Sequence, residues 1–457
     1  MANTLSQHFT FKKLIKFVYP AVIMMVFTSI YGVVDGIFVS NFAGKTAFEA
    51  VNLIMPVLMG FASFGFMIGA GGSALISKTL GEGDTKRARG IFSLLVYATV
   101  ILGAVMTAVG ILVLRPLAIL LKAEGEMLDK CVLYGTVNMC GITLFMLQNV
   151  FQSFFALAEK PKIGLAVIVC AGVTNAVLDA VLIAGFKLGL LGAALATVTG
   201  QAVGSLIPVI YFSLNRKGIL FLGKPLLKIK PLVKACLNGS SEMLTQLSLS
   251  LVSILYNYQL ISYDGGIAAY GVMMYVSFIF CSIFIGYSIG VTPVIGYNFG
   301  AGNKSELNNV LKKSLIIIAV CSVAMFTLSI ALNYPLPYIF VGNNAALFAM
   351  TRRGFYIISC IFLIMGFNIF GSAFFTALNN GLISALISFL RTLLFQVICV
   401  MCLPLLWGLD GIWSANVFAE LAAIIVTFTL FMCHRKKYGY FIKDNTQPET
   451  DSSELVK

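Results

Sequence analysis

The sequence predicts an all-α membrane protein, with twelve transmembrane helices in two homologous six-helix lobes around a central cavity. Three observations carry this reading. The 457-residue chain is 59% hydrophobic and only 11% charged, with a mean hydropathy of +0.95, so it lacks the polar residues to coat a soluble core. Apolar stretches of about 20 residues or more recur along it, long enough to cross a hydrocarbon layer of ~30 Å as helices. The chain also repeats itself. Residues 71–104 and 290–323 align at an offset of 219, which lays Gly81-Glu82-Gly83-Asp84 on Gly300-Ala301-Gly302-Asn303. The same offset lays Gly189-Leu190-Leu191-Gly192 on Gly408-Leu409-Asp410-Gly411, and at one residue more Phe154-Phe155 falls on Phe374-Phe375.

In chain order, the first half predicts spans over residues 14–40, 50–78, 91–114, 130–156, 163–186 and 189–214. The second half predicts them over 235–263, 267–297, 310–333, 354–378, 382–407 and 410–433. A closed barrel needs short alternating segments, and these runs are unbroken. An even number of spans returns each copy to the same face. The repeats are therefore parallel, related by an axis along the membrane normal, which suits two lobes rocking around a cavity. The connection from Asn215 to Lys234 is basic and carries Gly218, Gly223, Pro225 and Pro231, which discourage a continuous helix. The expected lobes are 1–215 and 235–438, joined by a cytoplasmic linker over 216–234 and followed by a polar, disordered cytoplasmic tail over 439–457.

A net charge of +13 would suggest nucleic acid in a soluble protein, but here the positions of the charges matter more. With the N-terminus placed in the cytoplasm, 23 Lys and Arg residues fall on the inner side and 7 on the outer, with Arg391 inside a span. That bias predicts a multi-pass plasma-membrane protein with both termini cytoplasmic, and no nucleic-acid partner. Residues 1–13 carry no cleavable signal pattern, so the first span is expected to act as the insertion signal. The ten cysteines lie mostly within spans. Cys399-Val-Met-Cys402 has redox spacing but sits in an apolar helix, where packing is the expected role. His8 and His434 are the only histidines and lie near opposite ends, which argues against a transition-metal centre. No cofactor is expected. An enzyme is not expected either: the chain has no His-Glu-x-x-His motif, and Tyr263-Asp264 has no matching Gly-x-Gly-Asp.

An ionisable group at bilayer depth costs about 2.5–3.5 kcal/mol on insertion scales, so each such group is a functional candidate. The acidic ones are Asp35, Asp179, Glu242 and Glu420. Asp35 in span 1 and Asp179 in span 5 lie at similar depth. Asn175 shares the face of Asp179 one helical turn away, and Thr197 of span 6 reaches the same level. Two carboxylates, an amide and a hydroxyl make an oxygen-rich site suited to Na⁺, or to a proton shared between close carboxylates. The alternative is that the two aspartates separately face polar crevices or cap helices. The 219 offset takes Asn175 to Leu394, Asp179 to Ile398 and Thr197 to Asn416, so the second half has not kept the carboxylates. It carries Glu242, Arg391 and Glu420 instead, and Arg391 is expected to pair with one glutamate and leave the other uncompensated. Pro20 of span 1 interrupts a helical ladder and is a candidate hinge. Tyr256, Met273, Met274, Tyr275 and Asn368 are candidates for the cavity wall.

With these residues in view, the chain resembles the multidrug and toxic compound extrusion (MATE) family over nearly its whole length. The resemblance rests on two homologous halves of six spans, on Tyr31-Gly-Val-Val-Asp-Gly-Ile-Phe-Val39, and on the glycine-rich turns after spans 2 and 8. Asp35, Asn175, Asp179 and Thr197 look like the cation-site residues of the branch named for the DNA-damage-inducible F proteins, and Pro20 resembles its bending proline. Other branches place acidic residues in spans 7 and 10 of the second lobe. Here span 10 offers Asn368, and Glu242 lies toward the inner end of span 7. The resemblance implies an antiporter exporting small organic, often cationic compounds in exchange for H⁺ or Na⁺ through a rocker-switch cycle, with membrane lipids around it. Because two lobes can complete a pathway within one chain, a monomer is expected. A flippase for lipid-linked sugars, from the same wider superfamily, is the alternative. It would favour a strongly cationic cavity, and Arg391 is the one intramembrane cation.

Overall fold

The computed structural model describes residues 4–342 and 344–441, and among these every regular element is a helix. The first half contains α1 (Phe11–Phe38), α2 (Lys45–Gly81), α3 (Thr85–Leu120), α4 (Gly125–Cys140), α5 (Ile142–Leu157), α6 (Pro161–Leu178) and α7 (Gly189–Leu214). The second contains α8 (Ile229–Leu260), α9 (Gly266–Gly300), α10 (Lys304–Ala331), α11 (Pro335–Val341), α12 (Ala345–Ser359), α13 (Met365–Ala377), α14 (Gly381–Phe389), α15 (Phe395–Trp407) and α16 (Leu409–Tyr438). Ten segments of the described chain are long and apolar enough to cross a membrane, and α4 with α5 makes an eleventh. α8, which corresponds to the span expected over 235–263, is 32 residues long but more polar, carrying Asn238, Ser240, Ser241, Glu242 and Gln246, and does not meet the same measure of length and apolarity.

Apart from spans that only widen into π-helical turns, two expected spans are not single helices. α4 and α5 meet at a 55° bend at Gly141. A side chain there would meet Val198 of α7 at 2.7 Å, so the missing Cβ lets α7 approach the bend. The span expected over 354–378 starts earlier, at Ala345, and passes through a 3₁₀ turn at Cys360–Leu363 before resuming as α13. Both breaks fall at corresponding places in the two halves.

The repeat is visible in the backbone. Gly83 and Gly302 both take positive φ (85° and 69°), as do Gly189 and Gly408 (54° and 56°) and Glu159 and Asn379 (58° and 56°). Asp84 and Asn303 cap equivalent helices, accepting from the backbone N–H of Arg87 (2.9 Å) and Glu306 (3.0 Å). The repeated phenylalanines anchor equivalent cores. Phe154 and Phe155 are buried with Phe92, Phe151 and Phe212, and Phe374 and Phe375 with Phe431 and Tyr440. Because Tyr440 is fully buried and its hydroxyl donates to Phe431 O at 2.9 Å, the packed chain reaches Phe441, past the expected start of the tail. Residues 442–457 of that tail lie outside the described residues.

Between the lobes, α2 packs on α8 and α9, and α1 packs on α9. These crossings are made by glycines. A Cβ at Gly71 would collide with Ala235 O, and one at Gly239 with Met67 O. In the related contact, a Cβ at Gly286 would lie 2.6 Å from Val22 Cα and one at Gly290 would lie 2.8 Å from Val18 Cγ1, either side of Pro20. Nearer the ends of α2 and α9, a Cβ at Gly81 would strike Tyr297 O and one at Gly300 would strike Lys78 O. These last two pairs exchange under the 219 offset, so the lobes close on one face around the repeat axis. The N-terminal segment crosses that same face. Leu5 N–H donates to Glu159 Oε1 (3.0 Å) in the first half. Phe9 N–H donates to Glu306 Oε1 (2.9 Å), His8 Nδ1 lies 2.7 Å from Glu306 Oε2, and Asn309 Nδ2 donates to Phe9 O (3.0 Å) in the second. Leu5 and Phe9 are buried beneath these bonds.

These contacts make the closed face sensitive to added volume. Gly239→Val should cost about 1–3 kcal/mol or more by overpacking, whereas Gly32→Ala, with nothing within 4 Å, should be tolerated. Thermal denaturation in detergent should show a midpoint several degrees lower for Gly239→Val alone.

Candidate functional site

In the first half, a break in helical geometry positions the acidic cluster. α6 gives way at Asp179 to a π-helical turn, Asp179–Gly185, and α1 is followed by another, Val39–Ala43, one turn beyond Asp35. The wider turns change the direction in which nearby side chains project, which is why such bulges recur at functional sites. Gly200 lets α6 press onto α7, since a Cβ there would lie 3.0 Å from Asn175 Cβ.

The four residues singled out from the sequence converge: Asp35 faces Asp179, Asn175 and Thr197. Asp179 is fully buried and Asn175 nearly so. Among the described residues, neither oxygen of Asp179 nor Oδ1 of Asp35 has a hydrogen-bond donor. Thr197 spends its hydroxyl proton on Ala193 O at 3.0 Å, leaving its lone pairs toward the site. Two carboxylates with so few donors cannot both remain charged and unaccompanied in a buried setting. The arrangement can hold a shared proton or a small hard cation, with oxygen ligands from each of the four side chains.

Sequence reasoning did not single out Tyr134 of α4. It is fully buried, faces Asp35, Asp179 and Thr197, and its hydroxyl has no partner. A tyrosine in an apolar span is commonplace packing, and only its depth relative to Asp35 could have marked it. Tyr31 lies next to Gln148 and Asp35 and extends the polar surroundings.

The central cavity is a separate space of about 1080 Å³ between the halves. It runs from Ser73, Ser288 and Thr376, on the side of the Gly71 and Gly239 crossing, to Phe48, Met127 and Ile267, close to the helix ends on the opposite face. Of the expected wall residues, Tyr256, Met274 and Tyr275 line it. Met273 and Asn368 do not. Met273 is fully buried against Gly354 and Trp413 of neighbouring helices, because it projects from α9 away from the cavity. Asn368 is turned into its own half, donating to Glu420 Oε2 (2.6 Å) and Glu420 O (3.0 Å) and accepting from Thr427 Oγ1 (3.0 Å). Asp35, Asn175, Asp179 and Thr197 do not line the cavity either, although Met25 and Ser29 of α1 do. The carboxylate pair therefore sits behind α1. Pro20 is buried within an unbroken α1, beside the crossing with α9.

The second half carries Arg391 on another π-helical turn, Leu390–Leu394, with Glu242 on α8 and Glu420 on α16. Arg391 Nε lies 2.9 Å from Glu420 Oε1, close but not aligned as a hydrogen bond. Both side chains are almost wholly buried, and Asn368 holds the other oxygen of Glu420. Glu242 also lines the cavity, within the field of Arg391, but forms no ion pair with it. Among the described residues, no cluster of His, Cys, Asp and Glu has the form of a metal site.

Fold and site together define a two-lobed helical membrane protein with a central cavity and a buried carboxylate pair set apart from it. The chain belongs to the MatE family, whose model matches twice, over residues 20–181 and 240–401. The two matches lie 220 residues apart, which is the internal repeat seen again. Among curated proteins the chain is similar to the multidrug export protein MepA of Staphylococcus saprophyticus, at 28% identity over 434 residues, covering 92% of this chain and 94% of that protein. MepA of Staphylococcus haemolyticus is 24% identical over 425 residues, covering 92% and 93%. Among solved structures, an outward-facing multidrug resistance MATE transporter of the MOP superfamily superposes with a TM-score of 0.89 at 23% identity, covering 95% of this chain and 98% of that one. A MATE protein in complex with MaL6 gives the same values.

The Arg391–Glu420 pair predicts its own energetics. Removing one partner leaves a buried uncompensated charge, a loss of about 3–5 kcal/mol, whereas replacing both is far milder. Glu420→Gln and Arg391→Met should each lower the denaturation midpoint in detergent, and the double variant should recover much of the loss.

Proposed function

We propose that this chain is a secondary active antiporter of the plasma membrane that exports small organic, mainly cationic compounds in exchange for H⁺ or Na⁺. The observation that carries this reading is the Asp35–Asp179 pair. Asp179 is buried and Asp35 partly so, and the pair is poor in hydrogen-bond donors and separated from the cavity, as expected for a site that binds a coupling ion while a different space binds cargo. The names of the MepA relatives support export of diverse compounds. Among the described residues the cavity is lined by one cation, Arg391, already paired with Glu420, which suits a cationic cargo better than the pyrophosphate of a lipid-linked sugar.

In this reading the basic, glycine-closed face is cytoplasmic. Residues 1–215 and 235–438 move as two lobes across the 216–234 linker. The ion enters at Asp35 and Asp179 with oxygen ligands from Asn175 and Thr197, and filling the site shifts α1 near Pro20. Because α1 also contributes Met25 and Ser29 to the cavity wall, a shift of α1 changes the cavity directly. Coupling follows if ion and cargo favour different states, since a ligand with equal affinity for both shifts nothing.

The test is efflux of ethidium from proteoliposomes under an imposed pH or Na⁺ gradient. One gradient should drive efflux by the wild type, and Asp35→Asn and Asp179→Asn should each cut the gradient-driven rate by at least tenfold. Unaltered rates in both variants would remove the pair from the coupling site.

A further inference from the structure

Among the described residues the charged side chains on the cavity wall are Glu49, near the start of α2, and Glu242, Arg391 and Glu420. Arg391 and Glu420 form an ion pair, and Asn368 fixes the second oxygen of Glu420. Glu242 makes no ion pair or hydrogen bond among the described residues, and it faces the cavity. It stands on α8 three residues beyond Gly239, where α2 and α8 press together, so it lies at the closed end of the cavity. Neutral polar residues line the cavity near that level, among them Ser73 on α2, two residues from Gly71, and Thr245 and Gln246 on the next turn of α8.

Farther along α8 the wall changes character. Tyr256 lies about 21 Å from Glu242 along the helix axis at 1.5 Å per residue, and it stacks on Tyr270 with ring centroids 4.7 Å apart and planes 11° from parallel. Met274, Tyr275 and Phe278 line the cavity alongside. The cavity is thus polar, with one uncompensated carboxylate, at its closed end and aromatic toward its other end.

We propose that Glu242 is the docking point for the positive charge of the transported compound. The cargo is an amphipathic organic cation seated with its charged group against Glu242 and its apolar body along the Tyr256–Tyr270 wall. This rests on the reading of the chain as an exporter. Arg391 cannot serve as the counter-ion of Glu242 without leaving Glu420 unpaired, so the position is held for an incoming cation. Aromatic faces attract the same cation as it moves along the wall. The charge-reading residue of the cargo site therefore belongs to the second lobe, while the ion-coupling carboxylates belong to the first.

The test measures equilibrium binding of two probes of similar shape to the purified full-length protein in detergent: tetraphenylphosphonium, a monocation, and triphenylphosphine oxide, which is neutral. Glu242→Gln should weaken tetraphenylphosphonium binding at least tenfold while changing triphenylphosphine oxide binding less than twofold, and Glu242→Asp should recover much of the cation affinity. Equal weakening of both probes would mean a structural role and would overturn the proposal. So would wild-type cation affinity in Glu242→Gln, and either result would leave the exporter reading intact. If the wild type bound no tetraphenylphosphonium, the reading of the chain as an exporter of organic cations would fail, and this proposal with it.

Discussion

A charge inside the membrane has to be neutralised where it sits, and the polar architecture of this chain follows from that constraint. The two halves, copies of one fold, meet it in different ways. The second half uses a fixed counter-ion: Arg391 beside Glu420, with Asn368 and Thr427 completing the network. Such a pair is costly to break from either side and changes little during function. Among the described residues the first half sets no cation beside Asp35 and Asp179, but an amide, a threonine and the tyrosines Tyr31 and Tyr134. In the proposed cycle its neutralising partner is the coupling ion, which comes from outside the chain and leaves again. That difference separates a structural ion pair from an exchangeable site.

The duplication explains how such a site can be connected to a moving cavity. Glycines at Gly71, Gly239, Gly81 and Gly300 let backbones touch along one face, and the last two are exchanged by the repeat. Contacts of this kind are short and bistable, because a packed interface of backbone atoms either fits or separates. α1 belongs to both functional regions, carrying Asp35 on one side and Met25 and Ser29 on the other. In the proposed cycle it is the element through which ion occupancy reaches the cargo.

Much of this was legible in the sequence because membrane depth leaves few residues to choose from. Apolar run length gave the helices, and the glycine-rich repeats gave the two halves. The scarcity of carboxylates in apolar runs brought Asp35 and Asp179 forward together. What could not be read was side-chain direction. Met273 and Met274 are adjacent in sequence, yet one is sealed against Gly354 and the other lines the cavity, a difference set by helix rotation. Asn368 was placed on the cavity wall because it is polar and mid-span, but Glu420 draws it inward. Arg391 could have paired with Glu242 or Glu420, and only the relative placement of α8, α16 and the π-helical turn decides it. The breaks at Gly141 and at Cys360–Leu363 left no mark because both segments stay apolar through them. Tyr134 had no signal of its own.

The central claim is that one ion site behind α1 and one cargo site in the cavity are thermodynamically opposed. Linkage then requires that each ligand weaken the other by the same factor. The direct measurement is the number of protons and of Na⁺ ions released into solution when saturating tetraphenylphosphonium binds the detergent-solubilised protein. The account predicts release of one of the two ions, abolished by Asp179→Asn. Cargo binding that releases neither, at pH and Na⁺ concentrations where the wild-type site is filled, would contradict it.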